Sequence, residues 1–314
     1  MKSVTSARIH QYGGPEVVRI ESASLPEPRQ GQLLVRVRAA GVNPIDWKIR
    51  QGYLQKMMPL PLPFTLGGDF SGTVEAVGPG GSPFTIGEEI YGQAPVMMGG
   101  SGSFAEGVIA PAGSSARKPR SIAHPEAAAL PLAGVSALQA LTEHLRLAAG
   151  QKILIHGGAG AIGSLAVQLA RYIGATVVTT VGTKNVEYAK SLGAQEVIDH
   201  RTQSFEDVGR SIDAVLDTVG GETYTRSFRI LKRGGRLVSL LERPREDLAQ
   251  EFGVEALMQI TKVTTERLVK LTELVERGVL KVHIDKMFPL HAAAAALRHL
   301  EQGSLRGKVV LTVP

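Results

Sequence analysis

Gly158-Ala-Gly160-Ala-Ile-Gly163 has the spacing G-x-G-x-x-G, and the chemistry that spacing serves is the holding of a pyrophosphate. The first glycine makes a tight turn, the second lets backbone approach the phosphates, and the third lets helix and strand pack closely. Ala161 and Ile162 fall where a helix N-terminus offers free N–H groups and a positive dipole end. The motif carries weight only between a strand and a helix, and both are legible. Ile153, Leu154 and Ile155 form a short apolar run, as in a buried parallel strand. Leu165, Val167, Leu169 and Ala170 then recur as the apolar side of a helix, with polar Gln168 and Arg171 between them.

The next strand, from Ala175, ends in Gly182-Thr183-Lys184. A dinucleotide enzyme that selects NAD places an acid about 20 residues beyond the glycines to hold the ribose hydroxyls. The first acid here is Glu187, already in the following helix. A missing carboxylate removes repulsion and a lysine adds attraction for a 2′-phosphate, so NADPH is expected over NADH. The alternative for Lys184 is a solvated loop lysine. His200, Arg201 and Arg306 are weaker candidates for the same phosphate, and Lys308 is counted with the cofactor-binding residues. Val219, Gly220, Ser239 and Leu240 close strands at the carboxyl edge, where the ligand of such a sheet lies.

These residues require an alternation of strand and helix to carry them. Strands are predicted at 152–157, 175–181, 195–199, 212–217 and 235–240, and helices at 162–173, 185–192, 222–231 and 264–277. Two more helices are read at Glu126–Leu130 and Gly134–Leu145. That alternation is the sign of a doubly wound parallel sheet, assigned here to residues 122–257. Residues 1–121 read instead as short, partly alternating strands such as Leu33-Leu-Val-Arg-Val-Arg, divided by glycine and proline. They are expected to form a twisted, mostly antiparallel or barrel-like domain to which residues 258–314 return. The charged stretch Glu242 to Gly253 reads as a mobile flap.

Bulk composition narrows the possibilities. The 314 residues are 43% hydrophobic and 20% charged, ample for a sizeable core. The net charge of +6 comes from dispersed Lys and Arg, so no nucleic-acid partner is expected. There is no Cys, which excludes disulfides, thiol catalysis and a thiolate zinc site. The N-terminus lacks the apolar core of a signal peptide, and no apolar run approaches about 18 residues. A cytoplasmic protein without a membrane partner is expected.

With these residues read, the chain resembles the medium-chain dehydrogenase/reductase superfamily. Within it, the chain is similar to the zinc-free quinone oxidoreductases, the relatives of zeta-crystallin, and in particular to plant enone and alkenal reductases. Besides the glycine motif, the resemblance rests on Ala40-Gly-Val-Asn-Pro-Ile-Asp, Gly67-Gly-Asp-Phe-Ser-Gly, Gly87-Glu-Glu-Ile-Tyr-Gly and Ala128-Ala-Leu-Pro-Leu-Ala-Gly. Asp213-Ala-Val-Leu-Asp-Thr-Val-Gly, Gly234-Gly-Arg-Leu-Val and Gly307-Lys-Val-Val-Leu extend it along the chain. The implied fold is α/β: a Rossmann doubly wound parallel sheet plus a GroES-like, mostly antiparallel β-barrel catalytic domain. The implied assembly is a homodimer.

Zinc alcohol dehydrogenases of the superfamily carry a ligand Cys matched by Val42-Asn43-Pro44 and a ligand His matched by Gly67-Gly68-Asp69. Asn43 and Gly68 supply neither group, so no metal is expected. His156 matches a position where quinone oxidoreductases often have His, and is read as structural or cofactor-lining. A zinc-free site suits hydride transfer to a quinone or to the β-carbon of an α,β-unsaturated carbonyl, where the forming enolate needs a hydrogen-bond donor. Candidate catalytic donors are Asn43, Lys48 and Tyr53. The resemblance implies that Asn43 lies near the nicotinamide and that Lys48 matches a lysine of the plant-type reductases. Each has a plainer alternative: Asn43 a turn residue, Lys48 a solvated lysine, Tyr53 a packed aromatic. Asp46 is read as structural, binding backbone in its loop. Ile45, Trp47, Met57, Met58, Met97, Phe252 and Met258 are expected to wall the substrate pocket, methionines adapting to varied apolar ligands. Two other functions stay open: a non-catalytic NADPH-binding protein of the zeta-crystallin type, and a zinc alcohol dehydrogenase.

Overall fold

The computed structural model describes residues 1–208, 211–303 and 305–314. It divides into two compact units, one of Met1–Leu132, Val263–Arg277 and Val282–Pro314, the other of Ala133–Lys262 and Gly278–Lys281. Residues 122–132 therefore belong with the first unit, and 258–262 and 278–281 with the second.

The first unit opens with β1 (Lys2–Ile9), β2 (Val18–Leu25) and β3 (Gln32–Val42). β1 and β2 pair antiparallel from Lys2 opposite Leu25 to Ile9 opposite Val18. In β3 the predicted alternation holds: Val35 and Val37 are buried while Arg36 is exposed. The helix α1 (Pro44–Arg50) starts at a proline, whose missing N–H is no loss at a first helical position. β4 (Phe64–Thr65), β5 (Asp69–Val77), β6 (Glu89–Gln93), β7 (Gly107–Pro111), β8 (Ser115–Arg117) and the short helix α2 (His124–Ala128) follow. Gly41 stands opposite Asp69, and Asp69 opposite Gln93. That register sets a carboxylate beside a carboxamide in the middle of a sheet.

The second unit holds the predicted alternation. In chain order come α3 (Pro131–Gln139), which begins in the first unit, then β9 (Lys152–His156), α4 (Ala161–Ile173), β10 (Thr176–Val181), α5 (Val186–Ser191) and β11 (Glu196–Asp199). β12 (Ile212–Asp217), α6 (Gly221–Ser227), β13 (Leu231–Ser239), α7 (Glu246–Phe252) and β14 (Glu255–Met258) complete it. The six strands are all parallel in the order β11-β10-β9-β12-β13-β14. Val178, Leu154, Val215 and Leu237 stand side by side across four of them. All four are fully buried under Tyr224 and Phe228, so the row is the core on which the helices pack.

Two elements differ from the sequence reading. The charged stretch 242–253 is not a free flap: it contains α7, stopped by Gly253 in the left-handed region (φ 65). Tyr224 Oη donates to the Arg243 carbonyl at 3.2 Å and accepts the Arg245 N–H at 3.1 Å, which pins the stretch. The sixth strand, β14, escaped notice because Glu-Ala-Leu-Met is short, half-exposed and lacks β-branched residues.

The chain then returns to the first unit through α8 (Thr265–Glu276), β15 (Ile284–Pro289), α9 (Ala293–Glu301) and β16 (Lys308–Thr312). β15, β16, β3, β5, β6 and β8 lie in that order in one sheet, with β7 also on β3. Apart from the parallel pair β15–β16, its pairings are antiparallel. Among the described residues no helix is long and apolar enough to cross a membrane.

Candidate functional site

The glycine turn joins β9 to α4, and each motif glycine has a separate reason to be one. A Cβ on Gly158 would fall 2.0 Å from Thr179 Oγ1, and one on Gly163 would fall 2.2 Å from the Gly157 carbonyl oxygen. Among the described residues, one on Gly160 would meet only that same oxygen, at 3.4 Å. Gly158 and Gly163 are thus demanded by packing, whereas Gly160 leaves the approach to the backbone open. Gly160 is also the N-cap of α4, whose first turn holds no acid. Its amide groups and dipole favour an anion there.

His156 supports the turn from below. Its Nε2 bonds Ser227 Oγ at 2.9 Å and its Nδ1 bonds Thr180 Oγ1 at 3.1 Å. Ser227 donates its own proton to the Thr223 carbonyl at 2.6 Å, so His156 must donate from Nε2 and accept at Nδ1. Burial pushes its pKa down to about 4 despite the Asp217 carboxylate, which keeps the ring neutral. The structural alternative for His156 is the one these contacts describe.

At the end of β10 the basic residues gather. The His200 N–H bonds the Val181 carbonyl at 3.1 Å. A Cβ on Gly182 would lie 3.6 Å from His200 Nε2 and 3.7 Å from Arg201 Nε. Lys184, two residues on, is exposed, as are His200 and Arg201. Asp199 is the nearby acid, and it is engaged: it accepts the Arg201 N–H at 3.1 Å, and hydrogen bonding from Thr183 holds its carboxyl below the usual range. Arg306 lies in the first unit, where its N–H bonds Asp285 Oδ1 at 3.0 Å. Val219, Gly220, Ser239 and Leu240 come together at the carboxyl ends of β12 and β13, around Asp217.

In the first unit, Asn43 is buried and committed. Its Nδ2 donates to Asp69 Oδ2 at 2.9 Å, and its Oδ1 accepts from Lys308 Nζ. Asp69 also accepts from Gln93 Nε2 at 2.9 Å and the Leu132 N–H at 3.2 Å, and faces Lys308 Nζ at 3.5 Å. Lys308, 3% exposed, therefore serves this network. Burial pushes its ammonium pKa down, against the pull of Asp69 and Asp46. Asp46 binds backbone as expected, accepting the Asn43 N–H at 2.7 Å. Sequence reading missed Gln93 and the partnership of Asp69 with Lys308. The signal available was a charged pair embedded in two apolar strands, which burial tolerates only when the charges meet.

Lys48, Trp47 and Tyr53 form a second group at α1. Lys48 Nζ lies 5.8 Å from the centre of the Trp47 ring, and the Tyr53 ring meets Trp47 edge-on at 5.8 Å. Ile45 is half-buried on the same helix, and Tyr53 is 65% exposed. Met58 and Met97 are brought together in one apolar depression with Tyr12, Ile49, Leu54 and Leu60, while Met57 stands outside it, exposed. Phe252 belongs to the second unit, where it packs against the sheet core, and Met258 ends β14 partly exposed.

A parallel sheet with a glycine turn after its first strand, joined to an antiparallel domain that takes both ends of the chain, defines a dinucleotide-dependent dehydrogenase of the medium-chain type. Known families agree: the alcohol dehydrogenase GroES-like domain matches residues 29–120, and the zinc-binding dehydrogenase family matches residues 192–311. The chain belongs to the medium-chain dehydrogenase/reductase superfamily, among the quinone oxidoreductases and the plant enone and alkenal reductases. It is 35% identical to the tomato (Solanum lycopersicum) 2-methylene-furan-3-one reductase, over 96% of this chain and 76% of that protein. A quinone oxidoreductase from Coxiella burnetii superposes with a TM-score of 0.92 at 34% identity, covering 100% of both chains. The Escherichia coli quinone oxidoreductase, solved with NADPH, superposes at 0.88 with 27% identity, covering 98% of this chain and 99% of that one.

Proposed function

We propose that the protein is an NADPH-dependent reductase that passes hydride to a quinone or to the conjugated double bond of an α,β-unsaturated carbonyl, without zinc. The observation that carries this reading is the open glycine turn beside which β10 leads into Lys184, with His200 and Arg201 following β11 and the nearby acid, Asp199, already engaged by the Arg201 N–H and Thr183. The relatives' names, quinone oxidoreductase and enone-type reductase, support the two acceptor classes. Gly158, Gly160, Ala161, Ile162 and Gly163 would hold the pyrophosphate. Residues after β10 would hold the 2′-phosphate, and residues after β12 and β13 the nicotinamide end. Bound there, NADPH supplies the hydride.

The donor set of the first unit supports chemistry without zinc. At the positions matched to the zinc ligands this chain has Asn43 and Gly68, which supply neither thiolate nor imidazole, and beside them the Asp69 carboxylate and the Lys308 ammonium engage Asn43. An ammonium already fills the electrostatic role a cation would take, so these residues do not fit zinc. Asn43, with its amide engaged on both sides, fixes the start of α1. Lys48 is then the donor offered to the oxygen that gains charge as hydride arrives.

The reading is tested by following NADPH oxidation through its near-ultraviolet absorbance. The acceptors are an ortho-quinone, a para-quinone, a short enone and a long 2-alkenal, with NADH in parallel. Turnover with NADPH and one acceptor class is expected. A preference for NADH would overturn the role of Lys184. Tight NADPH binding without turnover of any acceptor would replace catalysis by a binding role.

A further inference from the structure

We propose that Asp217 is a positioning residue, its buried carboxylate tying the loops after β12 and β13 into one rigid edge for the nicotinamide end of the cofactor. The inference rests on the NADPH reading above. Asp217 closes β12 and is 0% exposed. Its Oδ1 accepts the N–H groups of Val219 at 3.0 Å and Gly220 at 2.9 Å. Its Oδ2 accepts the hydroxyl of Ser239 at 2.7 Å, and Ser239, also 0% exposed, closes β13. The Ser239 oxygen in turn accepts the N–H groups of Leu241 at 3.1 Å and Glu242 at 3.0 Å. Two cross-links complete the ring: the Leu240 N–H on the Asp217 carbonyl at 3.1 Å, and the Gly221 N–H on Glu242 Oε1 at 2.8 Å.

Two features set this ring apart from an ordinary turn. One is the use of a charge. A neutral Asn or Ser can organise a turn, whereas a buried carboxylate is tolerated only when its oxygens are engaged, and it then binds more strongly than a neutral acceptor. The other is what the loops display. Their N–H groups point inward to Asp217 and Ser239, while the apolar side chains of Val219 and Leu241 are 51% and 42% exposed. Exposed apolar groups on a fixed edge, at the carboxyl ends of parallel strands, suit the face of a flat ring. Gly220 and Gly221, both in the left-handed region (φ 80 and 62), let the loop turn back sharply enough to close the ring. A loop that holds its binding form only part of the time lowers affinity by that fraction, so the ring of bonds acts directly on binding.

The test compares two ligands on the full-length protein by titration calorimetry: NADPH, and adenosine 2′,5′-bisphosphate, which carries only the adenosine end. In Asp217→Asn and in Ser239→Ala, the Kd for NADPH should rise about tenfold, the size of one lost charge-assisted hydrogen bond, while that of the bisphosphate stays within about twofold. Parallel weakening of both ligands, or unchanged NADPH binding, would overturn the assignment. Should Asp217→Asn fail to fold, Ser239→Ala keeps the carboxylate and its two backbone bonds and carries the same comparison. A wild type that binds neither ligand would overturn the NADPH reading and this assignment with it. One that binds both, with no selective loss in the variants, overturns only the assignment.

Discussion

Replacing Asp46 with Asn should stabilise the protein, and the gain should grow with pH. Asp46 is 3% exposed and its Oδ2 accepts the Asn43 N–H at 2.7 Å. An asparagine carbonyl keeps that bond, so the perturbation is one of charge. Burial pushes the Asp46 carboxyl from 3.8 up to about 7; the Asn43 N–H and Lys308 oppose the rise, and the Asp69 carboxylate adds to it. Because the folded-state value is the higher one, the stability that protonated Asp46 contributes is complete below 3.8 and is lost as the pH climbs through about 7. The full loss is about 4 kcal/mol, from about 1.4 kcal/mol per pH unit between the two values. Near pH 5 roughly 1 to 2 kcal/mol has gone, which leaves about 2 to 3 kcal/mol to disappear by about pH 8. Asn does not titrate, so Asp46→Asn should gain that amount on the wild type across the interval. Urea unfolding can be followed by the fluorescence of Trp47, the only tryptophan, which sits beside Asp46 in α1 and so reports the first unit. A gap between variant and wild type that stays constant from about pH 5 to about pH 8 would refute the reasoning.

Three other outcomes follow from the site. Lys184→Glu places a carboxylate where the 2′-phosphate would lie, and should lower the ratio of kcat/KM for NADPH over NADH by about a hundredfold in steady-state assays. Gly163→Ala would put a methyl 2.2 Å from the Gly157 carbonyl oxygen, a backbone atom that cannot step aside. NADPH binding measured by calorimetry should be lost, while Gly113→Ala, with no described residue within 4 Å of the new Cβ, binds as wild type. Lys48→Met should lower kcat by roughly ten- to a hundredfold with the Kd for NADPH unchanged, since it removes a donor that matters as charge develops. An unaltered kcat would remove Lys48 from the chemistry.

What could be read from the chain divides along periodicity. The parallel sheet was legible because Ile153-Leu-Ile and Asp213-Ala-Val-Leu are short apolar runs with helical patterns between them, and local pattern and burial agree there. α7 and β14 were not, because a seven-residue helix with three acids and a four-residue strand with no buried residue carry too little pattern to outweigh a loop reading. The glycine motif was legible because its spacing is confined to six residues, although the close contact that demands Gly158 comes from Thr179 on the next strand. The network of Asn43, Asp69, Gln93 and Lys308 was not legible as such. Its members are brought together by strand register across β16, β3, β5 and β6, and a register is set by the whole sheet. Asn43 thus looked like a free donor in the sequence and is an engaged one in the fold.

The strand order has a consequence for how such a protein can change. Lys184 follows β10 and Ser239 closes β13, with β9 and β12 between them. Three strand spacings of about 4.8 Å put these two strands about 14 Å apart. Substitutions separated by more than about 7 to 10 Å, with no shared partner, act additively. On the proposed reading, selection can therefore exchange one dinucleotide for the other at the first position without disturbing the ring-facing edge at the second. The two traits can be inherited, lost or recombined as independent parts of one sheet.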